Sequence, residues 1–173
     1  ARGRVWITVS TRLVPRARGY RRDVADGFLV VVDNKGARIV ADSLGYTNEA
    51  ALDARGEWLY VNETFARITS RFPVRSDGRL GPREVFAEYG AGTFPDGMAF
   101  DVEGHLWVVS IISNRLLRVA PDGAIIGRRL VKSSGIPAWD DAVLRAIDKA
   151  ESLPRDTDGR VQNPTLIVWG PKD

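Results

Sequence analysis

The sequence has no cysteine and a single histidine, His105. The first absence excludes disulfides, thiol nucleophiles and cysteine-ligated zinc or iron–sulfur sites; the second excludes a multi-histidine metal site within one chain. No apolar stretch approaches the roughly 18 residues of a membrane helix. The longest, Phe28–Val32, has the length of a strand. The first residues carry no signal-peptide pattern. Lysine is scarce, so the basic residues are mostly arginine, and 25 of them face 22 acidic ones for a formal net charge of +3. The one basic cluster, Arg12, Arg16, Arg18, Arg21 and Arg22, is interleaved with a single aromatic residue, Tyr20. That pattern reads as a solvated loop rather than a nucleic-acid arm. Neither nucleic acid nor a membrane is therefore expected as a partner. The sequence names no compartment, and the cytoplasm is favoured.

What is present is a repeat. The chain has 173 residues, 44% of them apolar and 27% charged, the composition of one ordinary globular domain. Three segments align: Ala1-Arg-Gly-Arg-Val-Trp-Ile-Thr-Val9, Ala54-Arg-Gly-Glu-Trp-Leu-Tyr-Val61 and Val102-Glu-Gly-His-Leu-Trp-Val-Val109. Each is a tight glycine turn followed by an aromatic-bearing strand. A second turn follows each of them, at Asp33–Gly36, Ser76–Gly78 and Pro121–Gly123, again between β-rich runs. Asp-Gly turns suit the twist of antiparallel hairpins. Four strands in each 40–50 residues is the pattern of a β-propeller blade. The expected fold is therefore all-β: a propeller of four-stranded blades, three of them present, at residues 1–43, 44–92 and 93–135. One short inserted helix is expected at 138–151, where Trp139, Val143, Ile147 and Ala150 line one face and Asp140 and Lys149 suit the helix dipole. A further blade starts at 163–173.

The inner strands of such blades begin at a common central channel. Here they begin with Tyr46-Thr-Asn-Glu-Ala50 and Phe94-Pro-Asp-Gly-Met98, which places Asn48 and Asp96 one repeat apart; Asn163 holds the matching position before the last strand. A ring of amide and carboxylate oxygens suits a hard divalent cation. The same three residues also suit turns, and spacing alone leaves both readings open.

The runs Thr47-Asn-Glu, Leu59-Tyr-Val-Asn-Glu-Thr-Phe65, Asp77-Gly-Arg-Leu-Gly81, Phe94-Pro-Asp-Gly-Met-Ala-Phe-Asp101 and Gly104-His-Leu-Trp107 resemble the SMP-30/gluconolactonase/luciferin-regenerating-enzyme family. The resemblance implies a six-bladed propeller, of which this chain is half, with one divalent metal at the channel mouth. Ca²⁺ leads, with Mg²⁺, Mn²⁺ and Zn²⁺ as alternatives. It implies a hydrolase of sugar lactones or related esters, in which Asn48 and Asp96 are metal ligands and Asp96 is also the general base. The family's Glu and first Asn ligands fall on strands ahead of Ala1. Glu49, Glu63, Thr64 and Asn163 are expected to meet the substrate. The alternative is a non-catalytic propeller that binds a ligand or assembles with an incomplete metal site, because one fold hosts many functions.

Three blades do not close a ring. Two expectations follow: the chain is a fragment of a longer one, or two copies join as half-propellers, each lending its strand Thr165–Trp169 to the other.

Overall fold

A computed structural model of the chain describes residues 3–130, so the expected helix at 138–151, the strand near 163–173 and Asn163 lie outside the described residues. Three antiparallel sheets follow one another along the sequence. The first contains β1 (Val5–Val9), β2 (Gly27–Asp33) and β3 (Gly36–Leu44). The second contains β4 (Thr47–Leu52), β5 (Trp58–Glu63), β6 (Ile68–Pro73) and β7 (Glu84–Glu88). The third contains β8 (Phe94–Phe100), β9 (Leu106–Ile111), β10 (Arg115–Val119) and β11 (Ile125–Leu130). In each sheet the strands lie side by side in chain order, as hairpins joined by short turns must. β1, β5 and β9 occupy equivalent places, each entered through a glycine at positive φ: Gly3, Gly56 and Gly104.

The alternation of side chains along β5 explains how the sheets stack. Leu59 and Val61 point to one face and join Leu29, Leu44 and Phe72 in a core between the first two sheets. Tyr60 points to the other face, where it meets Phe86, Met98, Leu106, Val108, Leu117 and Val119 in a core between the second and third. Tyr60 stands edge-on to both Phe86 and Phe100, with ring centroids 4.9 and 5.0 Å away. Each fully buried aliphatic side chain here contributes about 1.5–3 kcal/mol. The second sheet is thus covered on both faces. The first and third each keep one apolar face toward solvent, with Val5, Ile7 and Ile39 exposed on one and Val109 and Ile111 on the other.

The inner strands are irregular at matching places. The pairing of β4 with β5 slips between Thr47 and Ala50, and that of β8 with β9 slips between Pro95 and Met98. Asn48-Glu49 and Asp96-Gly97 therefore leave the hydrogen-bond ladder. Such bulges turn side chains away from the regular pleat.

The second turn of the third sheet docks on the second sheet. A Cβ on Gly123 would stand 2.1 Å from the Phe86 carbonyl oxygen, whereas one on Gly36 meets open space, although both residues have φ near +90° (+88° and +94°). Gly36→Ala is expected to lower stability by about 1 kcal/mol, the cost of a left-handed backbone. Gly123→Ala adds a clash with backbone and is expected to cost about 3 kcal/mol. Urea midpoints of the two variants test the difference.

Candidate active site

The two bulges meet. The Asn48 side-chain amide donates to the Asp96 carboxylate in a very short contact, and lies 3.3 Å from Thr64 Oγ1. Both Asn48 and Asp96 are half-buried. The segment that carries Asp96 is held from the second sheet at three points. Asn62 Nδ2 donates to the Asp96 carbonyl at 2.8 Å, Thr64 Oγ1 donates to the Pro95 carbonyl at 2.8 Å, and the Met98 amide donates to Glu49 Oε2 at 2.7 Å. Asn62 is in turn fixed by Thr69, whose hydroxyl donates to Asn62 Oδ1 at 2.6 Å and lies 2.8 Å from Tyr89 Oη. Backbone groups released by the bulge thus find side-chain partners, as buried polar groups must.

Asn48 and Asp96 suit a hard cation. An Asn side chain turned over about its last bond presents oxygen in place of nitrogen. In that orientation the Asn48 oxygen faces the Asp96 carboxylate across the same gap, giving two oxygen donors of the kind Ca²⁺ or Mg²⁺ selects.

The residues expected to meet substrate behave differently. Glu63 is fully buried, and its carboxylate is taken by the Gly45 amide, Ser70 Oγ and Arg83 Nη2, each at 2.5 Å. It ties β5, β6 and the chain before β4 together and cannot reach a substrate; a charge is buried only when so paired. Thr64 is also buried and orients Pro95 and Asn48 from behind. Glu49 is exposed, with one oxygen committed to Met98. Sequence reasoning missed Asn62, Thr69 and Arg83. The signal for Asn62 is a polar run, Asn62-Glu-Thr64, at the end of an otherwise apolar strand, whereas Thr69 and Arg83 reach the site only through tertiary contacts.

A second cluster, Asp101, Glu103 and His105, lies past the far end of β8, five residues or about 16 Å of strand from Asp96. It is filled by an arginine. Arg118 Nη2 lies 2.9 Å from Asp101, contacts Glu103, and is 3.0 Å from His105 Nδ1. Burial pushes the Asp101 carboxyl up, but donors from Trp107, the His105 amide and Arg118 outweigh it and hold the group below the usual carboxylate range. His105, the single histidine, is part of this knot.

Comparison with known proteins supplies a lineage. The sequence matches the SMP-30/Gluconolactonase/LRE-like region over residues 1–138, and the chain belongs to that family. A 6-deoxy-6-sulfogluconolactonase of Pseudomonas putida is 33% identical over 108 residues, which is 61% of this chain and 37% of that protein. A gluconolactonase from Xanthomonas campestris has a similar structure, with a TM-score of 0.56 and 26% identity, covering 72% of this chain and 43% of that one. The calcium-binding protein regucalcin from Agrobacterium tumefaciens shares the fold, with a TM-score of 0.61 and 23% identity over 73% of this chain and 41% of that one. The chain thus spans well under half the length of these relatives. Among the described residues no helix is long and apolar enough to cross a membrane.

Removing Arg83 leaves the Glu63 carboxylate buried without its cation, so Arg83→Ala is expected to cost about 3 kcal/mol. Glu63→Gln keeps the shape and part of the hydrogen bonding, and is expected to cost about 1–2 kcal/mol. Denaturant titration checks both. An altered substrate KM without loss of stability in Glu63→Gln would contradict the structural role.

A carboxyl held below its ordinary pKa favours the folded state above that value and loses its contribution as acid protonates it. Stability is therefore expected to fall as pH drops below about 4. Asp101→Asn is expected to flatten part of that fall, which thermal unfolding across pH 2–6 measures.

Proposed function

We propose that this chain belongs to a divalent-metal-dependent lactonase acting on a sugar lactone or related ester, with Asn48 and Asp96 among the metal ligands and Asp96 as general base. One observation carries the reading: two bulged inner strands, one repeat apart, bring an amide and a carboxylate together at a half-buried point. Membership of a family with lactonase relatives supports it. A bound divalent ion supplies Lewis-acid polarisation of a carbonyl and offsets the charge that builds on its oxygen. Ca²⁺ is the leading candidate on the oxygen donor set.

The chain's own residues do the rest. The Asp96 carboxylate takes a proton from a water molecule as that water attacks the lactone carbonyl carbon. Ring opening then releases an alkoxide, which the proton held by Asp96 neutralises. Asn62 and Thr64 hold the Asp96 segment by its backbone, leaving the carboxylate free to exchange protons without moving its strand. Asn48 contributes a neutral donor, which keeps the local negative charge low. Other donors to the ion come from the remainder of the propeller.

The test uses the full-length protein and a sugar lactone such as D-glucono-1,5-lactone. Asp96→Asn is expected to lower kcat by at least about 10²-fold while leaving the unfolding midpoint close to that of the parent. Chelation is expected to abolish hydrolysis and added Ca²⁺ or another divalent ion to restore it. Hydrolysis at the parent rate in Asp96→Asn removes Asp96 as the base. A folded protein that binds no divalent ion favours a non-catalytic propeller instead.

A further inference from the structure

Tyr89, just after β7, carries a hydroxyl into the core between the second and third sheets. Its ring is buried with Tyr60, Phe86, Met98 and Leu106, where a phenylalanine would pack the same apolar surface. Its backbone amide donates to the Arg67 carbonyl at 2.8 Å. Burial pushes the Tyr89 phenol up, so the oxygen keeps its proton. The partner of that oxygen is Thr69 Oγ1, at 2.8 Å. Thr69 stands opposite Asn62 in the pairing of β5 with β6, and its Oγ1 lies 2.6 Å from Asn62 Oδ1. Asn62 Nδ2 lies 2.8 Å from the Asp96 carbonyl oxygen. Both Thr69 and Asn62 are fully buried. A continuous chain of hydrogen bonds thus runs from the end of β7, through β6 and β5, to the bulge of β8.

The order of protons along this chain has one solution. A backbone carbonyl only accepts. The Asp96 carbonyl therefore needs the nitrogen of the Asn62 amide, because turning that amide over would set oxygen against oxygen. With its nitrogen toward Asp96, Asn62 turns Oδ1 toward Thr69 and needs a donor there. Thr69 has one hydroxyl hydrogen and uses it on Asn62. Thr69 Oγ1 can then only accept from Tyr89, which must be the donor in that contact. Every hydrogen in the chain points from Tyr89 toward Asp96. Bonds aligned head to tail in a low-dielectric interior polarise and strengthen one another.

We infer that Thr69 and Tyr89 are positioning residues for Asp96: acting through Asn62, they fix the Asp96 carbonyl and with it the direction in which the bulged strand presents the Asp96 carboxylate. The inference rests on the metal-dependent lactonase reading for what that carboxylate does, and on the buried chain alone for how it is aimed. Thr64 and Glu49 anchor the flanking residues Pro95 and Met98, whereas Asn62 holds Asp96 itself. Without the Thr69 hydroxyl, Asn62 Oδ1 is buried with no donor. The Asn62 amide is then free to turn, and a turned amide repels the Asp96 carbonyl instead of holding it.

The experiment uses the full-length protein, with Ca²⁺ and D-glucono-1,5-lactone as probes. Thr69→Val keeps the side-chain shape and removes the donor. After chelation and calorimetric titration with Ca²⁺, it is expected to bind the ion at least about 10-fold more weakly than the parent. It is also expected to lower kcat with little change in KM. Tyr89→Phe is expected to weaken Ca²⁺ binding by a smaller factor, about 3-fold, and decides the matter alone if Thr69→Val does not fold. Thr69→Ser restores the hydroxyl and is expected to bind Ca²⁺ as the parent does. In an Asn62→Ala background Thr69→Val is expected to change Ca²⁺ affinity no further, because it acts through Asn62. Gly36→Ala, which lowers stability at a distant turn, is expected to leave Ca²⁺ affinity unchanged. Parent affinity in Thr69→Val and Tyr89→Phe, an equal loss in Thr69→Ser, or an additive loss in the Asn62→Ala background overturns the inference. Amide hydrogen exchange separates this from failure of the lactonase reading. If the parent neither binds Ca²⁺ nor hydrolyses the lactone, that reading falls. Faster exchange confined to Phe94–Met98 in Thr69→Val and Tyr89→Phe then still supports the chain. Exchange there that matches the parent, or that is equally faster in Gly27–Asp33, overturns it.

Discussion

Everything at the candidate site depends on how β8 is held against the second sheet. Two sheets packed only through apolar side chains can slide and repack, because such contacts are not directional. Here the approach of the inner strands is fixed by directed bonds: Asn62 to the Asp96 carbonyl, Thr64 to the Pro95 carbonyl, and the Met98 amide to Glu49. These bonds exist because the ladder between β8 and β9 slips at Pro95–Met98 and frees backbone groups that need partners. The bulge is therefore both the reason Asp96 leaves the pleat and the reason its strand is anchored. Gly97 completes the arrangement, since a side chain there would press within 3.3 Å of Glu49 Oε2.

The same logic explains the buried charge. Asn62 and Thr64 can serve β8 only if β5 is itself immobile at its end. Glu63, between them, is the residue that pins it, through bonds to Ser70 on the neighbouring strand, to the Gly45 amide and to Arg83. Gly45 allows this approach, because a Cβ there would come within 2.4 Å of the Ala66 side chain. A carboxylate is costly to bury, and here that cost fixes one geometry at the place where a chemical group must be aimed.

The repeat was legible from the sequence because glycine turns are read locally. Gly3, Gly36, Gly56, Gly78, Gly104 and Gly123 all stand at positive φ, and the strands fall between them. Asn48 and Asp96 were legible as equivalent positions 48 residues apart, although spacing says nothing about the side-chain direction that brings them together. The bulges were not read, although Pro95 and Gly97 inside an inner strand were their signal. Glu63 was expected to meet the substrate because the family resemblance sets it near the channel mouth. Only tertiary contacts with Gly45 and Arg83, distant in sequence, reveal its actual work. The arginine-rich segment read as a solvated loop for the same reason: Tyr20 finds Tyr46 and Phe65 across a sequence gap that no local pattern spans.

The distribution of apolar surface bears on how such a site becomes complete. The second sheet, covered on both faces, carries Asn48 and its supports. The third sheet, covered on one, carries Asp96. Both site residues thus sit at the junction that the described residues bury most fully, while the apolar faces of Val5, Ile7 and Ile39 and of Val109 and Ile111 lie on the outer sides of the stack. In a propeller each sheet packs against neighbours on both faces around the channel. The outer faces have the chemistry of surfaces that receive further sheets, and the relatives this chain matches are more than twice the length it spans of them. Further sheets added on either side leave the Asn48–Asp96 junction unchanged. They bring additional inner strands to the same channel, where any further oxygen donors would converge. The directed bonds that hold β8 are local to two sheets, so the geometry at Asp96 is set by the second and third sheets alone.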